Sequence, residues 1–100
     1  MTRGKAAYNL EEVKRWVAGG AFVITLQARR DAYGLGLDAR DVRDCILGLS
    51  AGEFHKSMRS EAVPELDQDV YQTVYGEFEL YVKLQMRRDG PVVVVSSKLR

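Results

Sequence analysis

Four short segments in the second half of this 100-residue chain hold the side chains best suited to chemistry. In order they are Phe54-His55-Lys56-Ser57-Met58, Gln68-Asp69-Val70-Tyr71, Leu80-Tyr81-Val82-Lys83-Leu84 and Val95-Ser96-Ser97-Lys98. Three of them lie where polar and apolar residues alternate, and the fourth ends an unbroken valine run. Alternation at period two sends every second side chain to one face of a sheet. Tyr81 and Lys83 are therefore expected on one face, as are Ser96 and Lys98, and Lys56 is expected to share a face with Phe54 and Met58. Lysines, a tyrosine and a glutamine gathered on a sheet suit a negatively charged ligand and need no metal to hold it.

The elements that must position these groups are legible along the chain. Residues 1–8 read as a short loose lead. Asn9 is placed to cap a helix, with Glu12 three residues on as in a capping box, and Leu10, Val13, Trp16 and Val17 recur at helical spacing. Gly19-Gly20 ends that helix, and the β-branched run Ala21 to Leu26 reads as a strand. Gln27 to Tyr33 reads as a short helix with Ala28 and Ala32 on one side and Arg29-Arg30 outward. Asp38 caps a third helix with Asp41 in its first turn, and Val42, Cys45, Ile46 and Leu49 form its inner face. After a turn at Ser50 to Gly52 the period falls from 3.6 to two. Strands are expected at about 53–60, 68–74, 78–87 and 92–98, with a Pro64-containing acidic loop from Glu61 to Asp67 and a hairpin turn at Asp89-Gly90. Val92 to Val95 is apolar on both faces, so that strand is expected to be central. Helices first and strands after make the chain α+β, about three helices on a mostly antiparallel sheet, in one domain over residues 1–100.

Composition narrows the function classes. The chain is 46% hydrophobic and 29% charged, ordinary for a folded protein. No stretch is long enough to span a membrane and no apolar secretory signal opens the sequence, so a cytoplasmic protein is expected. The single cysteine, Cys45, excludes an intramolecular disulfide, and with one histidine, His55, it leaves no basis for a structural zinc site. Net charge is +1; residues 1–50 hold eight Lys/Arg against six Asp/Glu, and residues 51–100 seven against eight. Any contact with nucleic acid must then come from a local patch rather than from global attraction.

The ordered series Lys56-Ser57-Met58, Gln68-Asp69-Val70-Tyr71, Leu80-Tyr81-Val82-Lys83-Leu84, Val95-Ser96-Ser97-Lys98 resembles the MqsR family of bacterial type II toxins. The helical half agrees, through Leu10-Glu11-Glu12-Val13-Lys14, Gly19-Gly20 and the run Leu35 to Asp38, so the likeness covers about Tyr8 to Lys98. The resemblance implies a RelE/MqsR-like fold and an mRNA interferase that cleaves through the ribose 2′-hydroxyl with no cofactor. It implies a cognate antitoxin, an mRNA substrate, no membrane, and a toxin–antitoxin complex that reaches operator DNA through the antitoxin. Carried over residue by residue, the catalytic positions fall on Lys56, Gln68, Tyr81 and Lys98. Lys56 and Lys98 would stabilise the phosphate and take part in proton transfer, Tyr81 would act as acid, base or hydrogen-bond donor, and Gln68 would orient the substrate. Lys83, Arg59, Arg87 and Arg88 would bind RNA.

This chain departs from the family at Asp67, where a Trp is usual, in the loop Glu61 to Leu66, where an Asp-His pair is common, and at Ser97, where an aromatic is usual. All three are expected beside the active surface, where they would alter base recognition and leave the catalytic set intact. Each site residue also has an ordinary reading: a strand lysine is usually a solvated charge and a mid-strand tyrosine usually packs. Strict alternation sets His55 on the face opposite Lys56, which favours a packing or surface role over stacking, an antitoxin contact or catalysis. The competing function is a catalytically weak relative that binds antitoxin or RNA without cutting.

Overall fold

The computed structural model describes residues 2–87 and 90–100, with backbone alone at Thr2 and Arg3; the expected RNA contact at Arg88 and the turn residue Asp89 lie outside the described residues. The elements run β1 (Thr2–Arg3), α1 (Leu10–Ala18), β2 (Phe22–Ile24), α2 (Leu26–Tyr33), α3 (Ala39–Leu47), a 3-10 turn (Ala51–Glu53), β3 (Phe54–Arg59), β4 (Asp67–Tyr75), β5 (Phe78–Met86) and β6 (Val92–Leu99).

The helices start where side chains can satisfy free backbone amides. Asn9 Oδ1 accepts the Glu12 N–H at 3.0 Å, and Thr25 Oγ1 accepts the Ala28 N–H at 3.1 Å. At α3 the box is reciprocal: Asp38 accepts from the Asp41 N–H at 3.0 Å, and Asp41 accepts from the Asp38 N–H at 2.9 Å. Thr25 thus ends the expected Ala21–Leu26 strand early, because a cap residue hands its neighbours to the helix.

Six strands form one sheet in the order β1-β3-β4-β5-β6-β2. All pairs are antiparallel except β2 with β6. β6 is flanked by β5 and β2, as its all-apolar start predicts. The β4–β5 hairpin turns through Gly76-Glu77, with Gly76 at φ +60°, a backbone region that glycine enters without steric cost. Gly90, at φ +65°, lies under Trp16, and a Cβ there would meet the indole at 3.0 Å.

One face of the sheet carries the core. Leu80, Val82, Leu84 and Met86 of β5 and Val92 and Val94 of β6 meet Val13 and Val17 of α1, Ala28 and Ala32 of α2, and Val42, Cys45, Ile46 and Leu49 of the α3 segment. Two polar ties fix this layer: Tyr75 Oη donates to Asp41 Oδ1 at 2.9 Å, and Thr73 Oγ1 donates to Glu53 Oε2 at 2.7 Å. The lead is not loose. β1 pairs with β3, and the buried Asp69 carboxylate accepts the N–H groups of Ala7 and Tyr8 at 3.0 Å each. No helix among the described residues is long and apolar enough to cross a membrane.

Candidate active site

The open face of the sheet holds the candidate site residues, and cross-strand register arranges them in rows. One row runs Lys56, Val70, Lys83, Ser96 across β3, β4, β5 and β6; the next carries Gln72, Tyr81 and Lys98. Directly opposed residues lie about 5 Å apart and diagonal neighbours about 7–8 Å apart, within reach of lysine and tyrosine side chains.

Two β-bulges create this arrangement. In β3, Phe54 pairs with Tyr71 while Lys56 pairs with Val70, so His55 is an extra residue. In β6, Ser96 pairs with Lys83 while Val94 pairs with Leu84, so Val95 is the extra residue. A bulge shifts the strand's phase by one and strengthens its twist. With strict alternation Lys56 would follow Phe54, and Lys98 would follow Val92 and Val94, onto the helix-packed side. The expectation that Lys56 shares a face with Phe54 is therefore corrected. Phe54 packs edge-on against Tyr71, with ring centroids 5.7 Å apart on the core side, and Lys56 turns outward. The expectation that His55 faces away from Lys56 is corrected for the same reason: its ring lies 5.8 Å from that of Tyr81, tilted by 42°.

The result is a cleft of about 300 Å³ lined by His55, Lys56, Met58, Val70, Tyr81, Lys83, Ser96 and Lys98. Among the described residues it has three lysines and no carboxylate on its walls. Its floor is Val70, buried, with Met58 beside it. Lys56, Lys83 and Tyr81 are half-buried, and Lys98 is exposed. A near-neutral chain thus carries a local cationic hollow that can take a phosphate and an aromatic pair that can take a base.

Of the four expected catalytic residues, Lys56, Tyr81 and Lys98 line the cleft. Gln68 lies on the same face one pleat away, buried, with its Nε2 donating to Gln85 Oε1 at 3.0 Å. Lys83 joins the cleft. Arg59 does not: its guanidinium donates to the Pro64 carbonyl at 2.7 Å and lies 3.4 Å from Asp67, closing the loop between β3 and β4. Arg87 is exposed in a separate hollow with Tyr8, Glu65 and Asp67. Ser97 is not beside the active surface as expected; it is buried on the core side opposite Val82. Sequence reasoning missed Gln72, whose Nε2 donates to Tyr81 Oη at 3.2 Å. Only cross-strand register could have found it.

Residues 5–98 match the family described as "Motility quorum-sensing regulator, toxin of MqsA". The chain is 35% identical over 89 residues to "mRNA interferase toxin MqsR" of Escherichia coli (strain K12), covering 89% of each. The match spans every strand that builds the cleft, from the helical half through Lys98, and the chain belongs to the MqsR toxin family.

Proposed function

We propose that this chain is the toxin of a type II toxin–antitoxin pair and acts as a sequence-selective, metal-independent endoribonuclease on messenger RNA. The observation that carries the reading is the cleft: three lysines around Tyr81 and His55 with no carboxylate among its described walls. Membership of a toxin family, and a relative whose name is that of an mRNA interferase, support it.

In the proposed reaction the ribose 2′-oxygen attacks the adjacent phosphorus and the bond from phosphorus to the 5′-oxygen breaks. The 2′-hydroxyl proton passes to a base in the cleft, and the 5′-oxygen gains a proton as it leaves. The products are 2′,3′-cyclic phosphate and 5′-hydroxyl ends. Because the nucleophile belongs to the substrate, no water has to be activated. Lys56 and Lys98 neutralise the pentacoordinate phosphate as charge builds on its oxygens. Tyr81 donates a hydrogen bond to it, Lys83 holds a neighbouring phosphate, and Gln68 orients the substrate from the edge of the cleft. His55 and Tyr81 together offer a surface on which a base can stack.

A toxin of this family implies an antitoxin partner. The finer picture, a cytoplasmic single-domain toxin whose antitoxin also carries it to operator DNA, is part of the proposal. The test is cleavage of a long unstructured RNA by the purified chain in EDTA, beside Lys56→Ala. Cuts that vanish in the variant and leave 2′,3′-cyclic phosphate ends are the expected result. An intact RNA, with or without ribosomes and with a folded protein, would refute the reading.

A further inference from the structure

We infer that Gln72 is a positioning residue that dictates which way Tyr81 offers its hydroxyl hydrogen, and that Arg100 dictates which way round Gln72 works; the inference rests on the ribonuclease reading above. Gln72 faces Tyr81 directly across the β4–β5 pair, and its Nε2 lies 3.2 Å from Tyr81 Oη. A side-chain amide nitrogen only donates, whereas a phenol oxygen donates one hydrogen and also accepts. With the amide donating, Tyr81 is the acceptor in that bond. Its own hydrogen is left for an oxygen of the scissile phosphate in the cleft.

This outcome depends on the amide's orientation, and the opposite orientation would reverse it. Turned over, Gln72 Oε1 would face Tyr81 and capture the phenol hydrogen. Arg100 opposes that arrangement. Its Nη1 lies 3.5 Å from Gln72 Oε1, and a guanidinium has donors alone, so the atom facing it must be the oxygen. Arg100 is itself held to β5: Nη2 lies 3.2 Å from a Glu79 carboxylate oxygen, and its backbone N–H donates to the Glu79 carbonyl at 3.0 Å. A directed series from Glu79 through Arg100 and Gln72 therefore ends at Tyr81. Neither Gln72 nor Arg100 lines the cleft, so both act through the tyrosine rather than on the substrate.

The test is single-turnover cleavage of a long unstructured RNA by the full chain, read as the rate at saturating protein and the concentration for half-saturation. Gln72→Leu is expected to lower the saturating rate about 3- to 10-fold, the size of one neutral hydrogen bond, with half-saturation unchanged. Gln72→Glu is expected to lower it further, although it is the closer isostere, because a carboxylate accepts the phenol hydrogen. Arg100→Ala should lose rate and Arg100→Lys, also donor-only, should recover it. On a Tyr81→Phe background neither Gln72 change should lower the residual rate again. Gln72→Glu cutting faster than Gln72→Leu, the order a purely structural residue gives, would overturn the inference. If Tyr81→Phe loses cleavage while both Gln72 variants match the wild type, this inference alone fails. If Tyr81→Phe cuts like the wild type, the site assignment itself fails.

Discussion

The lead before α1 is held by a buried charge, and removing that charge gives a decisive test of the packing argument. Asp69 is 1% exposed, and its two carboxylate oxygens each accept one backbone N–H, from Ala7 and Tyr8, at 3.0 Å. Tyr8 adds a hydrogen bond from its hydroxyl to the Asp67 carbonyl at 2.6 Å. Hydrogen bonds to an ionised group contribute roughly 1.5–3 kcal/mol each. Ala7 is exposed and Tyr8 half-buried, so water recovers part of this when the bonds are lost. Asp69→Ala should therefore cost about 2–3 kcal/mol, or roughly 10–20 °C in melting temperature for a domain of this size. Asp69→Asn, which keeps one acceptor, should cost about half as much. Urea unfolding gives the free energies, and amide exchange should show the Ala7 and Tyr8 protons becoming unprotected. The cleft lies on the other face, so cleavage per folded molecule should not change. The same substitutions in a chain beginning at Asn9 complete the cycle. There both substitutions should cost little, because the N–H groups that the carboxylate serves are gone. Equal losses in the full and shortened chains would show that Asp69 does not act through the lead.

Two further outcomes follow from the structure. Hydrogen bonds from the Asp38 backbone and the Tyr75 hydroxyl hold the Asp41 carboxyl below the usual range, so its contribution is complete above about pH 4 and is lost as pH falls through the folded value; the same bond, aided by burial, pushes Tyr75 up to about 12, so its contribution is lost as pH rises from about 10 through that value. Melting scans of Asp41→Asn should accordingly lie below the wild type at pH 6 and converge on it as pH falls below about 4, and parallel curves at all pH would refute this. If His55 and Tyr81 form a stacking surface, His55→Ala should weaken binding of a short single-stranded RNA by at least about 5-fold in fluorescence anisotropy while His55→Phe retains it; equal affinities in all three proteins would remove His55 from the site.

The parts of the fold that are local in sequence were legible in it. Asn9 and Asp38 cap helices as expected, and the stripes Val13-Val17 and Val42-Cys45-Ile46-Leu49 are buried. Tyr81 with Lys83, and Ser96 with Lys98, share a face because no bulge falls between the members of either pair. What was not legible depends on partner strands. Phe54 and Met58 are both apolar, yet they serve opposite faces, so alternation within β3 gives no warning of the extra residue. In β6 the valine run has no polar member to mark its phase. The clasp on Ala7 and Tyr8 joins residues more than sixty positions apart, beyond any local pattern. Arg59 looked like a phosphate ligand because a charge count cannot show that Pro64 and Asp67 already engage it. The net charge of +1 likewise hid a cleft whose described walls are wholly cationic among charged groups, since the acids lie elsewhere.

The two bulges also set how this chain can change length. Each places one surplus residue between a core-facing anchor and an outward-facing residue: His55 between Phe54 and Lys56, and Val95 between Val94 and Ser96. Deleting the surplus residue would leave Phe54 and Lys56, or Val94 and Ser96, against the same partners in a regular ladder. A single-residue deletion at Ser97, between Ser96 and Lys98, would instead turn Lys98 onto the core side. Relatives could therefore lose a residue at either bulge and still present the same cationic hollow, so their lysines would align with Lys56 and Lys98 only across a gap. In this sheet the distance along the chain is free to drift at two points, while the phase of the strands is not.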